Sequence, residues 1–195
     1  TQIIFVLPAA THVELEIYDL AGRRVAELQK SARVEAGRHS VAWDGRDDAG
    51  AALPEGGYTA KLDIRYVNGN NPRAESPVIT IDVTAPTAAA KAEYDIFSPN
   101  GDGNKDVVTL FQDTSEEVFW TGTVKDAARK DVRTMVWRGR ADAKWAWDGR
   151  GDTGTPLVDG PYAYTLATTD RAGNTGPSQT IAIRIDTSEP PVRVS

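Results

Sequence analysis

Cysteine is absent from this chain of 195 residues. That removes disulfides, thiolate metal sites and cysteine nucleophiles together. Histidine is nearly absent, present only as His12 and His39, so an imidazole metal centre or proton relay has little to build from. No apolar run approaches the roughly 18 residues of a membrane span, so membrane insertion is not expected. Positive charge is short: 22 Lys and Arg against 28 Asp and Glu give a net charge of −6, with no basic cluster. Such a surface repels a phosphate backbone, so nucleic acid is not an expected partner. Catalytic fingerprints are missing too: no G-x-S-x-G, H-E-x-x-H, phosphate-loop or dinucleotide pattern occurs. An enzyme is not expected.

What the chain does have is a copy of itself. Trp43-Asp44-Gly45-Arg46 recurs as Trp147-Asp148-Gly149-Arg150, and the register then runs without a gap from 43–88 against 147–192. Sixteen of those 46 positions are identical, among them Asp48/Asp152, Gly50/Gly154, Tyr58/Tyr162, Leu62/Leu166 and Asp82/Asp186. Upstream the match weakens and shifts by about three residues, where Tyr18–Arg23 lies loosely against Lys125–Lys130. Two domains follow: 1–86, expected to be truncated at its start, and 87–188, with 189–195 opening a further linker or domain. The chain starts at Thr1 in an apolar run and ends in Pro190-Pro191-Val192-Arg193-Val194-Ser195, so the expectation is a piece of a longer protein.

Each copy reads as all-β. Val13, Leu15 and Ile17 alternate with Glu14, Glu16 and Tyr18, the period of a half-buried strand. Ile79, Ile81 and Val83 do the same, as do Ile181, Ile183 and Ile185. Turn signals such as Ala21-Gly22, Asp44-Gly45 and Glu55-Gly56-Gly57 separate these runs. Short strands at this spacing predict two tandem Ig-like (fibronectin-III-like) antiparallel β-sandwiches. Ala88–Glu93 has helical propensity but is short and follows Pro86, so it reads as linker. Val107–Phe111 reads as the first strand of the second copy.

Three sets of side chains carry the chemistry that remains. Asn100, Asp102, Asn104 and Asp106 stand at positions 1, 3, 5 and 7 of a glycine-bearing loop. Alternate oxygen side chains there suggest Ca²⁺. The pattern then departs from a helix-loop-helix calcium loop, with Lys105 at the glycine position and Phe111 at the bidentate Glu position. The alternative is a run of turns in which Asn and Asp cap their own backbone. Asp44, Asp47, Asp48, Asp148 and Asp152 form a second acidic loop, which reads as a hairpin corner, with Ca²⁺ as the alternative. Trp43 and Trp147 recur with Tyr58 and Tyr162 and read as core. Trp120, Trp137 and Trp145 have no aromatic counterpart in the first copy. Exposed together they would make a platform for sugar rings; otherwise they enlarge the core. His12 and His39 occupy polar strand positions and are expected to be solvated.

The stretch Ile4–Pro8, Val13–Val25, Ala36–His39, Trp43–Asp47 and Gly57-Tyr58 resembles the Ig-like domain named after the flagellar hook-capping protein, which also occurs on secreted bacterial proteins. Phe97–Asp106 is similar to a leader of repeats in large bacterial surface and gliding-associated proteins. Thr169–Asn174 and Ile185–Pro190 look like the closing strands of bacterial Ig-like arrays. The resemblance implies a non-catalytic spacer or adhesion stalk, extracellular, on the cell surface or periplasmic. Its partners would be neighbouring domains of the same chain, with a surface glycan or protein as a further candidate. The alternatives are a carbohydrate-binding module, an accessory domain of a secreted hydrolase or protease, and a part in flagellar hook assembly. The pattern departs at Asp126-Ala127-Ala128-Arg129, where the glycine of the turn is missing.

Overall fold

The computed structural model describes residues 1–176 and 179–188. The closing residues 189–195, read from the sequence as the start of a further unit, lie outside the described residues. The chain divides into two compact units, Thr1–Val83 and Thr84–Ser195, slightly upstream of the boundary at Pro86. Every named element is a strand, and among the described residues no helix is long and apolar enough to cross a membrane.

In the first unit β1 (Gln2–Leu7) pairs antiparallel with β4 (Gly37–Ala42). The opposing sheet has the order β3 (Arg24–Val34), β2 (Thr11–Asp19), β5 (Gly56–Arg65), β6 (Arg73–Glu75), with β7 (Ile79–Ile81) also on β5. Alternation dictates which side chains go in: Val13, Leu15 and Ile17 are buried, and they meet Leu7, Trp43, Tyr58, Ala60 and Leu62 in one core between the sheets.

The second unit has the same plan with more strands. β8 (Ala88–Ala92) lies beside β10 (Val108–Thr114), and β13 (Lys144–Trp147) lies on the other side of β10. The facing sheet runs β12 (Asp131–Gly139), β11 (Glu117–Lys125), β14 (Gly160–Ala167), β15 (Gln179–Ile185), β9 (Ile96–Phe97). The β9–β15 pairing is parallel; the rest are antiparallel. Two facing sheets, one of three strands and one of five with a short parallel edge strand, make an Ig-like, fibronectin-III-like sandwich.

Three strand readings need correction. Ala88–Ala92 is not linker: it is β8, paired with β10 from Ala92↔Leu110 to Ala88↔Thr114. Its alanines alternate, with Ala88, Ala90 and Ala92 packed on the core, and that burial with its ladder outweighs a weak helical preference. β10 is therefore not the first strand of its unit, and it begins at Val108, with Val107 exposed. Val83, 71% exposed, lies past the end of β7.

Candidate functional site

The repeated Trp-Asp-Gly-Arg corner follows β4 in one unit and β13 in the other. Trp43 and Trp147 are buried, and each indole N–H donates to the carbonyl oxygen of Arg46 or Arg150 at 3.0 Å. Tyr58 and Tyr162 meet the indoles edge-on with centroids 5.5 Å away in both units. Their hydroxyls donate to the carbonyls of Pro54 and Val158 at 2.8 and 2.7 Å. Asp44 and Asp148 accept the N–H of Arg46 and Arg150, each at 3.1 Å. Gly45 and Gly149, with φ of 82° and 72°, turn the chain where a β-carbon would be strained. The corner is a closed structural device.

A second device recurs around the sandwiches, and its spacing was visible in the sequence as an Asp three residues before a Gly. In Asp19–Arg23 the N–H of Asp19 donates to the Arg23 carbonyl, the N–H of Gly22 donates back to the Asp19 carbonyl, and the Asp19 carboxylate takes the N–H groups of Ala21 and Arg23. Asp47–Ala51, Asp126–Lys130 and Asp170–Asn174 repeat all four bonds. This is a type I turn closed by a left-handed residue, the three-residue hairpin loop. The Arg23 N–H chiefly holds the Asp19 carboxyl below the usual carboxylate range, and the Asn174 side-chain amide, then its N–H, does so for Asp170. The missing glycine of the second copy is resolved here: Arg129 takes the left-handed place, at φ 63°, that Gly22 holds at 81°. Asp126 supplies bonds enough to hold a non-glycine residue there.

The Asn100–Asp106 loop is closed by its own backbone. Asn100 accepts the N–H of Asp102 at 3.1 Å, and Asp102 accepts that of Asn104 at 2.8 Å. Asp106 takes the N–H of Gly101 on one oxygen and of Gly103 on the other, at 2.6 and 2.7 Å. Lys105, at φ 54°, sets its ammonium 4.6 Å from the centre of the Tyr94 ring. The oxygens of Asp106 thus face N–H donors of the loop itself. Asn100 and Asp102 make successive Asx turns, and Asp106 closes the loop from its far end. Thermal melts in millimolar Ca²⁺ and in chelator distinguish the two readings of this loop. The N–H-closed form predicts the same midpoint in both. A rise of several degrees with Ca²⁺ would mean that Asp102 and Asp106 turn towards a cation.

The sugar platform considered for Trp120, Trp137 and Trp145 is not formed. Trp120 is 1% exposed, with its N–H on the Ser115 carbonyl at 3.0 Å. Trp137 and Trp145 are half-buried against the same core, and Trp145 stacks on Tyr164 with centroids 5.7 Å apart. Register explains why the first copy needs none of them. Trp120, Trp145 and Tyr164 stand where the first unit has Val13, Val41 and Ala60, while Gly122 and Gln112 stand for Leu15 and Phe5. Aromatic bulk added at these three positions, and at Trp137 where the first unit has Ala32, is partly offset by volume removed at two, on one backbone plan. Gln112 is buried and joins both neighbours: the Tyr164 hydroxyl donates to its carbonyl oxygen, and its amide donates to the Asp142 carbonyl at 2.8 Å. Burial pushes the Tyr164 hydroxyl far above the usual phenol range. Nothing in the sequence singled out this pair. Of the histidines, His12 is exposed, but His39 is not merely solvated: it stacks on Phe5 and meets the Glu35 carbonyl at 2.8 Å.

Residues 3–65 match the family model of the FlgD Ig-like domain. No curated protein sequence matches the chain. Among solved structures, a tetra-tandem repeat from the extending region of a large adhesion protein is 19% identical, covering 96% of this chain and 45% of that one, with a TM-score of 0.41. A bacterial ice-binding adhesin of 1.5 MDa is 18% identical over 96% of this chain and 58% of that one, at 0.47. The fibronectin(III)-like modules of Clostridium thermocellum CbhA are 14% identical over 95% of this chain and 85% of that one, at 0.46. The chain spans less than half of the adhesion-protein structure.

Proposed function

We propose that the chain is a non-catalytic spacer of a bacterial secreted or cell-surface protein, two Ig-like units that set neighbouring domains of a longer chain apart. One observation carries the reading: the polar side chains shared by both copies face their own backbone, and the shared aromatics face their own core. Asp44 and Asp148 take the Arg46 and Arg150 N–H groups, and Asp48 and Asp152 take those of Glu27 and Thr134. What the repeat keeps is therefore what each sandwich needs to fold. The family match over residues 3–65 and the surface-protein likeness of the Phe97–Asp106 leader support a place outside the cytoplasm.

Two substitutions of a whole segment test this in the full-length protein. Replacing the 195 residues by an unrelated Ig-like pair of equal length should leave its surface activity intact. Replacing them by a single unit should weaken that activity through lost reach. If the length-matched pair abolishes activity, or if the isolated chain binds a surface glycan saturably, the chain is a binding module and the spacer reading is wrong.

A further inference from the structure

The two sandwiches differ at one edge. In the second unit β10 has a strand on each side, β13 and β8. In the first unit β1 holds the same place, since Ile3 pairs Val41 as Leu110 pairs Trp145, but only β4 accompanies it. Among the described residues, the other edge of β1 has no strand partner. An open edge exposes a row of backbone donors and acceptors to any extended chain.

The core beneath that edge is correspondingly uncovered. Leu110 and Gln112 are buried, whereas Ile3 and Phe5 in the same register places are half-buried. Ile183 and Ile185 are 2% and 0% exposed, whereas the repeat-matched Ile79 and Ile81 are half-buried. Between β1 and the β6–β7 segment lies an apolar groove of about 410 Å³, lined by Ile3, Phe5, Leu15, Leu62, Ala74 and Ile79 among others. In the second unit β8 packs against β10 and also contacts β15. Ala88, Ala90 and Ala92 face the core, while Ala89 and Lys91 face solvent. The repeat itself shows what fits such a place: a short strand with small side chains on alternate positions.

We propose that the groove beside β1 seats an antiparallel strand of this small-residue kind, supplied by polypeptide leading into Thr1 as Ala88–Ala92 leads into β10. The strand completes the β1–β4 sheet through main-chain bonds, and its inward small side chains cover Ile3, Phe5 and Ile79.

A graft tests it. Residues 84–107 are joined a second time directly before Thr1 of the whole chain, because Thr1 pairs with Trp43 as Val108 pairs with Trp147. Expected are hydrogen-exchange protection of β1 amides and a rise of roughly 5 °C or more in the first unit's melting temperature. The same graft with its copy of Ala90 changed to Asp should show neither. Should the graft disturb folding, a peptide of residues 84–97 added in trans to the original chain should protect β1 amides saturably. If neither graft nor peptide protects β1, the groove is no strand seat. If instead the original chain protects β1 by concentration-dependent dimerisation and the graft fails to displace the dimer, the occupant is a second copy and the proposal is overturned.

Discussion

Trp147→Ala should cost the second unit about 3–5 kcal/mol, by loss of transfer free energy and by the cavity left behind. The indole is 1% exposed, lies 5.4 Å from the Phe97 ring and 5.5 Å from the Tyr162 ring, and donates to the Arg150 carbonyl. Its removal therefore leaves an apolar void and an unpaired carbonyl together. Trp43→Ala should fall towards the lower end of that range, because Trp43 is paired with Tyr58 while Phe97 has no ring counterpart against it. Urea unfolding followed by circular dichroism, with the transition of each unit resolved, gives both values. A loss below about 1 kcal/mol at either site would contradict the shared-core account.

Gly122→Ala should also destabilise the second unit, although it adds only one methyl group. A β-carbon there would stand 2.6 Å from the Tyr164 hydroxyl oxygen and 2.8 Å from two ring carbons of Trp137. Tyr164 is held by Gln112 and stacked on Trp145, so it has little freedom to give way. Overpacking of this kind costs about 1–3 kcal/mol. Trp137→Leu removes the clashing ring, so the double variant should lose less than the sum of the single losses. Strict additivity would show that the clash is relieved elsewhere.

The sandwich class was legible because Val13-Leu15-Ile17 and Ile181-Ile183-Ile185 alternate in a way that only a half-buried strand explains. The corner was legible because Trp43–Arg46 recurs as Trp147–Arg150 with its tyrosine fifteen residues on. What escaped had a physical cause each time. β8 escaped because in Ala-Ala-Ala-Lys-Ala only Lys91 contrasts with its neighbours, and one polar residue is too few to show an alternation between core and solvent. The tryptophans of the second copy were ambiguous because a bulky side chain is accommodated by what its neighbours give up. Gly122, two residues from Trp120 on β11, and Gln112, on β10, are the positions that yielded space. The Asn100–Asp106 loop could not be assigned from spacing, since alternate oxygens serve a cation and a chain of N–H groups equally well.

The parallel β9–β15 pairing bears on how the chain answers tension. Pulling the start of β9 against the end of β15 loads their bonds, Ile96↔Arg184 and Phe97↔Ile185, in shear, so they must break together. The segment just ahead of β9 is also tied by β8 along β10. Force entering the first unit at Thr1 instead reaches β1 directly, and β1 is laced on one side only. In the spacer proposed above, a load applied to β1 would therefore extend the first unit before the second. A strand seated on the open side of β1 would raise the load at which the first unit yields.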